Sequence, residues 1–81
     1  MSEYAQRIRD LRTDHDKSQA EIAAVLGTTK NQVGKYERGE QEMPIKHLIT
    51  LCNYYNVSAD YILGLPKSRP YGLSKTRNTY K

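Results

Sequence analysis

The sequence predicts an all-α fold of five short helices followed by a basic tail, and three observations carry that expectation. First, the stretch Ser18–Gly39, SQAEIAAVLGTTKNQVGKYERG, contains two helix-starting signals, each followed by apolar residues at helical spacing and closed by a glycine. Second, Ala23, Gly27 and Val33 supply what two helices crossing steeply over a tight turn require: a small residue at the close approach, a glycine in the turn and an apolar lock on the second helix. Third, the stretches on either side repeat apolar residues three and four apart.

Taken in order, Ser2 is placed to cap a first helix from about Glu3 to Asp14. Tyr4, Ile8 and Leu11 line one face of it at i, i+4 and i+7, leaving Arg7, Arg9 and Asp10 for solvent. Residues 13–17 are a polar loop. His15 lies there between two aspartates, with no second histidine or cysteine at ligand spacing, so no metal site is expected. Ser18 and Glu21 form a capping box for the second helix, whose inner face is Ile22, Ala23 and Leu26. Gly27 ends it, because glycine alone adopts the left-handed backbone cheaply.

Thr29 and Gln32 repeat the box at the start of the third helix, which runs from Lys30 to about Arg38 with Gly39 as its stop. If Val33 and Tyr36 face inward, a step of about 100° per residue puts Asn31, Lys35 and Arg38 on the opposite face, with Gly34 to one side. Lys30 projects from the N-terminal end. Residues 40–44 form a loop in which Pro44 suits a first helical position. The fourth helix reaches about Tyr55 with Ile45, Leu48, Ile49, Leu51, Cys52 and Tyr55 as a broad apolar stripe, Cys52 as a small core residue and His47 at the surface. Asn56 and Val57 close it, and Ser58 caps a fifth helix through Tyr61, Ile62 and Leu63 before Gly64.

At 81 residues the chain makes one domain with a small core. With no Trp and no Phe, its seven tyrosines and its aliphatics must fill the interior. No apolar run is long enough to span a membrane, and the N-terminus has no signal-peptide core, which points to the cytoplasm. One cysteine makes no internal disulfide, in keeping with a reducing compartment. An enzyme is disfavoured: there is no glycine-rich phosphate loop, no metal-ligand cluster, and no nucleophile with a base and an orienting acid. No cofactor is implied.

The net charge of +4 is uneven. Residues 1–64 carry eight Lys/Arg against nine Asp/Glu, whereas 65–81 carry Lys67, Arg69, Lys75, Arg77 and Lys81 with no acid. This divides the chain into a folded domain, 1–64, and a tail, 65–81, in which Pro66 and Pro70 break any continuing helix. The tail has two readings, a salt-sensitive attraction to phosphates or a solubilising, disordered end. Tyr71, Leu73 and Tyr80 are its candidates for docking on a partner chain.

The run Q-A-E-I-A…L-G…V…Y-E-R-G resembles the lambda-repressor/Cro-like (XRE-type) helix-turn-helix family, and the resemblance extends from about Ile8 to Leu63. Val57–Leu63 resembles the family's closing element. The resemblance implies a sequence-specific regulator of transcription, phage- or prophage-like and of repressor type, that reads double-stranded DNA with the third helix in the major groove. The base-reading residues it implies are Lys30, Asn31 and Lys35, with Gln32 beside them. Lysine suits the O6 and N7 acceptors of guanine and asparagine the N6/N7 pair of adenine. Gln19, at the free amides of the second helix, is implied as a phosphate clamp, and Thr29, Arg38 and Lys46 are similarly placed to flank a groove. Gly34 either allows close approach to a groove wall or is simply tolerated.

The family also implies that Arg12 holds Glu37 in a bidentate ion pair tying the first helix to the third. It implies a homodimer on half-sites about one turn apart, here through Tyr54, Tyr61, Leu63 and Leu65. Two alternatives use the same fold. One is an antitoxin whose tail folds on a toxin; the other is a protein-interaction module, which would want an acidic or apolar reading helix. RNA binding lacks an exposed aromatic platform, and no small-molecule ligand is evident.

Overall fold

The computed structural model describes residues 3–65. The expected Ser2 cap and the tail from Pro66 onward lie outside the described residues. Five helices follow one another: α1 Glu3–Asp14, α2 Gln19–Leu26, α3 Lys30–Glu37, α4 Ile45–Tyr55 and α5 Ala59–Leu63. All five were expected, with nearly these limits.

Local chemistry sets most of the boundaries. The Ser18 hydroxyl accepts from the Glu21 amide while Glu21 Oε1 accepts from the Ser18 amide, so α2 starts on a complete capping box. Gly27 closes α2 in the left-handed region at φ 71°, where its N–H reaches the carbonyls of Ala23 and Ala24. At α3 only half of the expected second box forms: Thr29 Oγ1 accepts from the Gln32 amide at 3.1 Å. Ser58 caps α5 in the same way, through the Tyr61 amide.

The core is one cluster: Ile8 and Leu11 of α1, Ile22, Ala23 and Leu26 of α2, Val33 and Tyr36 of α3, Leu51 and Tyr55 of α4, and Ile62 of α5. Ala5 is also fully buried on α1. The helices α2 and α3 pack directly on each other. Helix α1 backs α3 and α5, and α4 backs α2 and α5. A long-range bond from the Met43 N–H to Tyr4 Oη, 3.1 Å, pins the loop before α4 to α1.

Three expectations need correction. Pro44 caps α4 in extended backbone (φ −61°, ψ 151°), so Ile45 and not Pro44 is the first helical residue. The buried side of α4 carries His47, Leu51 and Tyr55, with Leu48 and Cys52 half-buried; Ile45 and Ile49 are 73% and 56% exposed. His47 is therefore a core residue. Its ring takes the position that a shift of two residues, about 200° around a helix, moves away from Ile45 and Ile49. Gly34, which the helical step sets to one side of the outward face of α3, is buried.

Candidate nucleic-acid interface

Helix α3 has eight residues, far fewer than an isolated helix needs for stability in water. Its position therefore depends on what it packs against. Val33 and Tyr36 enter the core, 3% and 4% exposed, and Thr29 holds its first turn. At its last turn Gly39, at φ 73°, swings the chain back so that the Glu40 N–H bonds the Lys35 carbonyl at 2.9 Å.

The strongest polar support is at Glu37, which is 6% exposed. Arg12 donates to both of its oxygens, Nε to Oε2 at 2.7 Å and Nη2 to Oε1 at 3.0 Å. Gln19 Nε2 donates to Oε1 at 3.1 Å, and Arg12 Nη1 donates to the Lys17 carbonyl at 2.9 Å. The Arg12–Glu37 pair thus joins α1, the loop before α2, the first turn of α2 and the end of α3. The hydrogen bonds that Arg12 donates to Glu37 raise its pKa above its already high ordinary value, with burial acting in the opposite direction. Such bonds offset the cost of desolvating a buried pair, and here each guanidinium nitrogen and both carboxylate oxygens make at least one.

With Val33, Tyr36 and Glu37 turned inward, Lys30, Asn31 and Lys35 are exposed and Gln32 is half-buried. Two cations and an amide that packing does not use therefore share one short helix whose inner side is anchored in the core. Gln19 is half-buried, with one amide N–H given to Glu37 and the other donor and the carbonyl still available. Thr29 and Lys46 are exposed, Thr29 at the start of α3 and Lys46 on the first turn of α4.

Arg38 bends back along α3. Its Nη1 lies 2.8 Å from where a Cβ on Gly34 would stand, and Gln19 Nε2 lies 3.7 Å from the same point. The missing side chain of Gly34 is thus occupied by the guanidinium beside the glutamine amide. The rest of the fork goes to Glu40, with Nε to Oε2 at 2.7 Å and Nη2 to Oε1 at 3.3 Å. Sequence reasoning missed both Glu40 and the contact of Gln19 with Glu37. The run Arg38-Gly39-Glu40 carried a signal for the first, since a left-handed glycine brings its two neighbours round to one side.

Tyr54, Tyr61, Leu63 and Leu65, expected at a dimer surface, are 42%, 44%, 37% and 47% exposed. Arg7 stacks over Tyr61 with its guanidinium carbon 5.4 Å from the ring centre and pairs with Glu3, so it is only partly open to water. Among the described residues no group of three or more His, Cys, Asp or Glu is placed to hold a metal ion. Among them, too, no helix is long and apolar enough to cross a membrane.

A family model described as helix-turn-helix matches residues 8–62. The chain is 40% identical over 62 residues to the uncharacterized HTH-type transcriptional regulator YobD of Bacillus subtilis, covering 76% of this chain and 55% of that one. It is 33% identical over 60 residues to the antitoxin PezA of Streptococcus pneumoniae, covering 74% of this chain and 38% of that one. The chain thus spans about half the length, or less, of these relatives. The P22 c2 repressor, solved in complex with a synthetic operator, superimposes with a TM-score of 0.70 at 27% identity, over 78% of this chain and 96% of that one. The match to the family model spans both halves of the motif and the helices that brace it, so the chain belongs to the XRE-type helix-turn-helix family.

Proposed function

We propose that this chain is a sequence-specific DNA-binding regulator of transcription, of repressor type, that lays α3 in the major groove. The observation that carries the reading is the division of α3: Val33, Tyr36 and Glu37 anchor it, while Lys30, Asn31 and Lys35 are left exposed on a helix of fixed orientation. Lys30, Asn31, Gln32 and Lys35 read base edges. Gln19, Thr29, Arg38 and Lys46 hold the flanking phosphates and set the register. Likeness to a repressor solved with a synthetic operator supports the DNA-binding reading.

The regulator acts by occupancy, without catalysis and in the cytoplasm. One such module touches few base pairs, so it works as a two-fold dimer joined around Tyr54, Tyr61, Leu63 and Leu65. Residues 1–64 form the binding domain and 65–81 a basic extension that adds affinity for phosphates independent of sequence. Similarity to PezA supports an antitoxin as the second reading, in which the same domain binds DNA and the extension engages a protein. An interaction module without DNA affinity is the weaker choice, because α3 exposes two lysines and an asparagine where such a module would carry acidic or apolar groups.

Selection from a random double-stranded DNA pool at near-physiological salt tests the proposal. A recovered palindrome with half-sites about one turn apart is the expected result. Recovery of unselected DNA, or of none, overturns it.

A further inference from the structure

We propose that Glu40 is an internal competitor for the phosphate-binding guanidinium of Arg38, and that it lowers the affinity of the domain for all DNA alike. The inference rests on the reading of this face as a DNA-binding surface. A guanidinium offers two forked edges to an oxyanion. In Arg38 the Nε/Nη2 edge is filled by the two oxygens of Glu40, at 2.7 and 3.3 Å. The remaining nitrogen, Nη1, lies over Gly34, 2.8 Å from where a Cβ would stand. A DNA phosphate arriving beside Gln19 must displace the carboxylate or accept its repulsion at close range.

The backbone holds the competitor in place. Gly39 is left-handed at φ 73°, and the Glu40 N–H is bonded to the Lys35 carbonyl, so the carboxylate starts from a fixed point beside Arg38. Both partners remain more than half exposed, 57% and 54%, so the pair is weak enough to open. A competitor of this strength adjusts binding without abolishing it. It acts on a phosphate contact, and phosphate contacts carry no base information, so its effect is the same on every sequence. It also flattens the salt dependence, because where the carboxylate stays on Arg38 one phosphate contact, and the counterion its formation would release from DNA, is lost.

Glu40→Gln, Arg38→Ala and the double variant are to be titrated by fluorescence anisotropy against a labelled duplex of mixed sequence and, separately, the duplex recovered by selection, between about 50 and 200 mM salt. Glu40→Gln is expected to bind both duplexes about two- to fivefold more tightly, the range of an exposed ion pair. Its log–log salt slope should be steeper by about 0.9, the value of one phosphate contact. The gain should vanish in the Arg38→Ala background, and thermal melting should be unchanged. Unchanged or weaker binding by Glu40→Gln overturns the proposal, and so does a gain that survives without Arg38, which would mark a general charge effect. If the natural chain binds neither duplex, it is the functional reading that fails.

Discussion

His47 stands edge-on to Tyr36, with ring centroids 6.0 Å apart and planes at 60°, so α4 supports α3 partly through a titratable ring. Burial, and secondarily the charge of Lys46, lower the His47 pKa from its ordinary 6.5. The unfolded chain therefore takes up this proton at a higher pH than the folded one. The contribution of neutral His47 is complete above about pH 6.5 and is lost as pH falls toward the depressed folded value. Urea midpoints should fall between about pH 7 and pH 5 in the natural chain, and His47→Phe, which keeps a ring against Tyr36, should lose that part of the fall. Parallel profiles would show that the ring does not titrate in this range.

Removal of Arg12 leaves Glu37 buried with only Gln19 to answer it. Arg12→Ala should destabilise the domain by about 3 kcal/mol, the cost typical of orphaning a buried charge. Arg9 is exposed on the same helix, and Arg9→Ala should stay within about 0.5 kcal/mol. Chemical denaturation of the two variants side by side checks this. Equal midpoints would mean that the pair carries no stability.

Lys35→Ala should weaken binding to the selected duplex by about 1–3 kcal/mol and relax preference at one base position, with little change on unrelated DNA. Lys46→Ala should weaken both duplexes to a similar extent. If Lys35→Ala behaves like Lys46→Ala, Lys35 is a phosphate contact and not a base reader.

Tyr55 is 8% exposed, and its hydroxyl, buried without a hydrogen-bond partner, has its pKa pushed up to about 12. Tyr55→Phe removes an unanswered polar atom and keeps the ring against His15, 4.8 Å away. Melting should show no loss and a gain of up to about 1 kcal/mol. A clear loss would reveal a bound water serving the hydroxyl.

Particular residues show what the sequence could reveal. The caps at Ser18, Thr29 and Ser58 and the glycine stop at Gly27 are interactions within a few residues, so their spelling predicts them directly. The inner faces of α1 and α3 were legible because polar residues leave only one apolar side, and on α2, where residues 22–26 are all apolar, the spacing of the larger Ile22 and Leu26 marks it. On α4 two apolar sides compete, Ile45–Ile49 and Leu51–Tyr55, and periodicity alone cannot choose the one that meets the core. Choosing wrongly also sent His47 to the surface. Contacts such as Gln19 with Glu37, or Met43 with Tyr4 across 39 residues, depend on how the helices cross and leave no trace in local spacing.

The two sides of α3 answer to different pressures. Val33, Tyr36 and Glu37 are tied into the interior, so changes there are resisted by the whole fold. Lys30, Asn31 and Lys35 carry none of that packing. Replacing these three side chains therefore leaves the packing intact, so the outer face of α3 can change its chemistry while the body that carries it stays the same.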